Sequence, residues 1–150
     1  MTVAHKCRQE GLPNPSSEPR QVRTASTAAV SAEVIEQGRK IYADQCASCH
    51  GADLKGQPDW KTPLPSGRLP APPHDASGHT WHHADDVLFR IVKDGTATVV
   101  GGGYESDMPG FGAVMSDAEI EVVLHYIKST WPERERRYQA EMSAREATDQ

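Results

Sequence analysis

Residues 45–54 read QCASCHGADL. Cys46 and Cys49 are three positions apart and His50 follows directly. A Cys-x-x-Cys pair allows three chemistries: a zinc half-site, a redox dithiol or a pair of haem anchors. A structural zinc site needs four ligands. The only other cysteine is Cys7, near the start of the chain, so the missing ligands would have to be distant histidines. A thioredoxin-like dithiol needs a βαβ setting, and no strand pattern stands out anywhere in the chain. The fifth residue decides. In Cys-x-x-Cys-His both thiols can add to the vinyl groups of one haem, and the histidine is then held beneath the iron as proximal ligand.

Composition agrees with a bound cofactor. Of the 150 residues 37% are hydrophobic, with only two Phe, three Trp and four Tyr. Packed around protein side chains alone, such a chain has a thin core; a haem would supply the missing apolar surface. Charge is uneven. Residues 1–30 carry four Lys/Arg against two Asp/Glu, residues 31–132 eight against fourteen, and residues 133–150 four against five. The acidic central part has no basic stripe with interleaved aromatics, which argues against nucleic acid as a partner. No run approaches the roughly 18 apolar residues of a membrane span. The start, MTVAHKCRQEGLPNP, lacks the apolar stretch of a secretory signal. Cys7 reads as an incidental free thiol, because a lipid-bearing cysteine needs an apolar run before it.

Three regions are expected. Residues 1–30, with Pro13, Pro15, Ser16, Ser17 and Pro19, read as a flexible tail. Residues 31–132 read as the folded domain. Within it, 31–46 form a helix with Val34, Gly38, Ile41 and Tyr42 on one face. Gly38 costs that helix about 1 kcal/mol against Ala, which suggests a large group packed close against it. Residues 51–83 hold Pro58, Pro63, Pro65, Pro70, Pro72 and Pro73 and cannot form long regular elements. Residues 84–93 form a short helix with Leu88, Ile91 and Val92 inward. Residues 96–115 return to loop. Ser116-Asp117-Ala118-Glu119 matches a capping box and opens a helix with Ile120, Val123, Leu124 and Ile127 on its apolar face. Pro132 closes or kinks it. Residues 133–150 read as a polar helical extension, exposed or frayed, with Glu133–Arg137 as an i,i+4 pair. The fold class is all-α, with three to four main helices and long Pro/Gly loops wrapped around one haem.

A haem held by one histidine has a sixth iron position to fill, and a ligand for it is expected downstream. Met108, 58 residues past His50, sits in Ser106-Asp107-Met108-Pro109-Gly110-Phe111-Gly112. Pro109 fixes the backbone after it, and a thioether ligand raises the reduction potential of haem iron. Met115 is the rival, but it abuts the capping box and lacks the Pro/Gly setting.

On Cys46-Ala47-Ser48-Cys49-His50, Met108-Pro109-x-Phe111 and the order of helices around them, the chain resembles the monohaem class I cytochromes c over roughly residues 31–132. The resemblance implies one covalent haem c, anchored by Cys46 and Cys49 and ligated by His50 and Met108. It implies that the first and last helices of the domain cross at a glycine–aromatic contact, which Gly38 and Tyr126 match. It also implies a proline carbonyl that accepts the second nitrogen of the proximal histidine and so raises its basicity; Pro72 is the best placed of the prolines in 68–73. Two features fall outside the resemblance, the missing signal and the extension at 133–150.

His74, His79, His82 and His83 cluster beside Trp81. The cluster reads as a solvated loop edge, as a source of haem-propionate contacts, for which Trp60, Arg68 and Trp81 are further candidates, or as a second metal site. With both axial positions filled by protein, the expected activity is electron transfer rather than enzymatic chemistry. The partners would be redox proteins (an oxidase, reductase or dehydrogenase), the protein a monomer without a membrane span, and the location periplasmic or otherwise extracytoplasmic. Two alternatives remain: a haem c module of a larger dehydrogenase or oxidase complex, and a haem-based sensor from which Met108 is easily displaced.

Overall fold

The computed structural model describes residues 29–149. The expected tail at 1–30, with Cys7, lies outside the described residues except for its last two positions. The described chain has six α-helices and no strand: α1 (Ala32–Gln45), α2 (Ala47–His50), α3 (Asp85–Asp94), α4 (Thr96–Val100), α5 (Asp117–Ser129) and α6 (Glu133–Thr148), with a 3-10 turn at Thr80–His82 between α2 and α3. None of these helices is long and apolar enough to cross a membrane.

Local chemistry explains where the long helices begin. The Ser31 hydroxyl accepts from Val34 N at 3.3 Å and caps α1. At α5 the capping box is complete: Ser116 Oγ accepts from Glu119 N at 3.3 Å, and the Glu119 carboxylate accepts from Ser116 N at 2.8 Å. α3 starts without a side-chain cap but carries Asp85 and Asp86 in its first turn, where the helix dipole favours negative charge.

The principal packing is α1 across α5. Gly38 stands at the crossing: a Cβ there would collide with the carbonyl oxygen of Val122 and lie 2.7 Å from Tyr126 Cβ. The missing side chain lets the two backbones approach closely. Tyr42, one turn on, meets the Tyr126 ring with centroids 5.5 Å apart. The core gathers Tyr42, Leu54, Leu88, Met115, Ile120, Val123, Leu124, Ile127 and Trp131. All four expected α5 positions are in it, whereas on α1 and α3 only Gly38, Tyr42 and Leu88 are fully buried.

Two local expectations need correction. Residues 96–115 are not loop throughout: α4 forms one turn from Thr96 to Val100, bracketed by Gly95 and Gly101. Its β-branched residues gave no helical signal, since they are weak helix formers. The extension, in turn, is a docked helix rather than a frayed one. α6 packs on the 3-10 turn and α3. Gln139 is buried and its Nε2 donates to Asp85 Oδ1 at 2.7 Å and to the His83 carbonyl at 3.2 Å. Ser143 Oγ accepts from Asp85 N at 3.0 Å, so α6 supplies the side-chain cap α3 lacks. Glu135 is also turned inward, at 8% exposure, and Arg134 lies 3.8 Å from it; the expected Glu133–Arg137 pair is not among the ion pairs formed.

Candidate haem site

The end of α1 and the single turn of α2 set the cysteines and the histidine. Cys46 N donates to Tyr42 O at 2.9 Å, and His50 N to Cys46 O at 3.0 Å. Helical spacing brings i, i+3 and i+4 to one face, so Cys46, Cys49 and His50 share it. Tyr42 Oη donates to Gly51 O at 3.0 Å and ties the exit of the motif back to α1. The two thiols are free. Burial, with Cys49 close by, pushes the Cys46 thiol up to about 11.

His50 is buried, and its Nδ1 lies 2.8 Å from the Pro72 carbonyl oxygen. A carbonyl can only accept, so Nδ1 carries the proton and Nε2 is the nitrogen with a free lone pair. Burial holds the His50 pKa below its ordinary value, and the bond to Pro72 works in the opposite direction. The segment bearing Pro72 is fixed beside α2 by Gly56 N to His50 O at 2.7 Å, Gln57 N to Ala71 O at 2.9 Å and Ala71 N to Gln57 Oε1 at 2.8 Å. The His74 ring lies 3.8 Å from that of His50, centroid to centroid. Its backbone is locked by Trp131 Nε1, which donates to His74 O at 2.7 Å.

Met108 is half-buried in the loop between α4 and α5. Ser106 Oγ accepts from Met108 N at 3.1 Å, and Thr96 Oγ1 donates to Met108 Sδ at 3.4 Å. Met115 is packed into the core with Ile120 and Val123, held as a structural side chain.

The remaining sequence candidates are scattered. Trp60 stacks on His79 with ring centroids 5.4 Å apart, and Lys61 Nζ sits 5.0 Å from the Trp60 ring. Arg68 reaches across to the Met108 loop, its Nη1 donating to Asp107 Oδ1 at 2.5 Å. Trp81 donates its one N–H to Ala76 O at 3.2 Å, and its ring stacks on His82 and meets Tyr138. The histidines do not form a second metal centre; among the described residues no group of three His, Cys, Asp or Glu side chains is placed to hold an ion. His74 turns to His50 and His82 stacks on Trp81, while His79 stacks on Trp60 and keeps its ring 5.4 Å from that of His83.

Whether this site fits a haem is tested by what it leaves unmatched. Among the described residues, two buried side-chain nitrogens lack a hydrogen-bond partner, Arg68 Nε and His74 Nδ1. Such groups are costly to bury. His74 lies against His50 and Arg68 beside the Met108 loop, and the carboxylates of a haem would match such unpartnered nitrogens. Together with two free thiols and an imidazole oriented through Nδ1, the donor set suits a haem and not a tetrahedral zinc.

The comparison with known families decides the matter: a family model described as cytochrome c matches residues 35–131. The chain belongs to the cytochrome c family. Its cofactor is one covalent haem c, and this cytochrome c domain is an electron carrier. Domains of the family are typically extracytoplasmic. Curated relatives match in part. The Cbb3-type cytochrome c oxidase subunit FixP of Sinorhizobium medicae (strain WSM419) is 53% identical over 30 residues, covering 20% of this chain and 10% of that protein. FixP of Rhizobium meliloti (strain 1021) is 50% identical over 30 residues. A nitrite reductase of Stutzerimonas stutzeri is 26% identical over 115 residues, covering 73% of this chain and 18% of that protein. The cytochrome thus spans between a tenth and a fifth of these relatives' length. No solved structure matches it.

Thr96, Gly56, Glu105 and Asp107 were not singled out from the sequence. Each acts through a contact across the fold, and none belongs to a motif or a periodic stripe.

Proposed function

We propose that Cys46 and Cys49 hold the haem through thioethers, and that His50 Nε2 and Met108 Sδ are the two axial ligands of its iron. When bound, the haem supplies a one-electron couple between ferric and ferrous iron. The observation that carries this reading is the 2.8 Å contact between His50 Nδ1 and Pro72 O. It fixes the tautomer, aims Nε2 away from the 71–73 segment and raises its donor strength. Thr96 and Ser106 hold the Met108 side chain and backbone at the other end of the site. With both axial positions taken by protein, the chain acts as a carrier and not as an enzyme. Its place is periplasmic or otherwise extracytoplasmic, and the haem-bearing unit is residues 31–132, with 133–150 as an extension. Arg68 and His74 are the groups that face the cofactor's polar edge.

The test is the visible spectrum of ferric and ferrous protein beside that of Met108→Ala. Loss of the methionine-to-iron charge-transfer band in the variant is the expected result; an unchanged spectrum refutes the sixth ligand. Replacing Cys46 and Cys49 together makes the haem extractable by acid and organic solvent, and retention after both changes refutes the thioethers.

A second reading is favoured by one observation. The relatives that the cytochrome matches are much longer, and one is named as an oxidase subunit and another as a reductase. The same domain could work as the electron-transfer module of such an assembly. Co-purification of the native protein with an oxidase or reductase partner decides between module and free carrier.

A further inference from the structure

The loop that carries Met108 is held unevenly. On its C-terminal side Phe111 N donates to Val92 O at 2.8 Å and Gly112 N to Lys93 O at 3.0 Å. Gly110 there is packed so closely on α3 that a Cβ would lie 2.7 Å from the Asp94 carbonyl carbon. On its N-terminal side the chain arrives through Gly101, Gly102 and Gly103, none with an atom within 4 Å of a side-chain position. Tyr104 N bonds only back to Gly101 O.

Among the described residues, the side-chain contacts tying 101–107 to a distant part of the chain are those of Arg68. Its Nη1 donates to Asp107 Oδ1 at 2.5 Å, and its Nε stands 3.7 Å from Glu105 Oε2. Arg68 is presented by a turn that closes on itself, with Leu64 N donating to Arg68 O at 2.9 Å and Gly67 N to Leu64 O at 2.8 Å. The guanidinium thus spans from the proline-rich segment to the residue next to Met108. Its planar fork suits two carboxylates at once, which a lysine cannot copy.

We propose that Arg68 is a positioning residue for the sixth ligand: its ion pairs with Asp107 and Glu105 latch the N-terminal side of the Met108 loop to the 64–68 turn and set how readily Met108 leaves the iron. The proposal rests on Met108 being that ligand. Release of the methionine is a local opening of the loop, and local openings cost least where contacts are few. The carboxylates are largely exposed, at 67% for Glu105 and 62% for Asp107, so the latch is modest and screened by salt.

The experiment is an imidazole titration of the ferric holoprotein, followed by the loss of the methionine-to-iron charge-transfer band, at low and high ionic strength. Arg68→Gln and Asp107→Asn should each bind imidazole about twofold to fivefold more tightly than wild type at low salt. The double variant should match Arg68→Gln alone, and the wild-type gain in imidazole affinity with salt should vanish in Arg68→Gln and shrink in Asp107→Asn, where the contact with Glu105 remains. Arg68→Lys, which keeps the charge, should fall between. Unchanged affinity in Arg68→Gln, or effects of the two singles that add, overturns the latch. If Arg68→Gln does not fold, Asp107→Asn and Arg68→Lys read the same contact, and wild-type affinity in both overturns it. Met108→Ala separates the two readings. A band that survives in it overturns the ligand and with it the latch; a band lost in it, with Arg68→Gln at wild-type affinity, overturns the latch alone.

Discussion

Gly56 lies against the peptide of Pro72 so tightly that a Cβ would come within 2.5 Å of the Pro72 carbonyl carbon. That carbonyl is the acceptor for His50 Nδ1. Gly56 also has φ +67°, a region that costs an L-residue roughly 1–2 kcal/mol. Gly56→Ala should therefore push the 71–73 segment away and weaken the His50 bond. A less basic imidazole stabilises ferric iron less, so the reduction potential should rise, by an amount on the order of tens of millivolts for a partly lost hydrogen bond. Spectroelectrochemical titration checks it. A wild-type potential in a folded variant would mean that the acceptor stayed in place.

At Met108, the proposed sixth ligand, the sign reverses. Thr96 Oγ1 donates to Met108 Sδ, drawing electron density from the sulfur. Thr96→Val keeps the shape and removes the donor, so the methionine should favour ferric iron more and the potential should fall, again on the order of tens of millivolts. Thr96→Ser should restore it. A potential that does not move in Thr96→Val would show that the hydroxyl contributes nothing.

The α1–α5 crossing predicts a stability change without a change at the iron. Gly38→Ala gains about 1 kcal/mol of helix propensity but places a methyl against Val122 O and Tyr126 Cβ. Overpacking costs about 1–3 kcal/mol, more here because one obstacle is backbone. Net destabilisation of about 1–2 kcal/mol should appear as a lower denaturant midpoint, with the ferrous spectrum intact. A midpoint at or above wild type would be incompatible with the close crossing.

Docking of α6 should depend on acid. Burial works to raise the Asp85 pKa, but the hydrogen bonds from Lys128 and Gln139 outweigh it and the carboxyl sits below 3.8. A depressed folded-state pKa contributes stability that is full above the unfolded value of 3.8 and is lost as pH falls through the lower folded value. Asp85→Asn should thus destabilise the protein at neutral pH and lose less on acidification than wild type does. The side chain is more than half exposed, so screening keeps the effect small. Urea midpoints from neutral pH to below 3.8 measure it; parallel curves for the two proteins would remove Asp85 from the account.

Much of the domain was legible because its signals are local. The capping box at Ser116 and the stripe Ile120, Val123, Leu124 and Ile127 are written within twelve residues, and backbone hydrogen bonding and helical period act over that range. α4 was missed because its signal is equally local and points the wrong way. α6 was read as an exposed or frayed helix because a polar surface gives no stripe; its polar anchors, Gln139 and Ser143, bond to the start of α3 more than fifty residues away, and Tyr138 meets Trp81 across a similar separation.

The sequence by itself determined the attachment chemistry of this cytochrome, since Cys46, Cys49 and His50 are adjacent in the chain and a helical turn aligns them without help. It determined the all-α class in the same way. Only the tertiary structure decided which of several prolines faces His50, which hydroxyl reaches Met108 and where Arg68 turns. Those choices depend on the paths of two long Pro/Gly loops. Such paths are set by contacts between residues 12 to 39 positions apart, among them Thr96–Met108 and Arg68–Asp107, which no local pattern records.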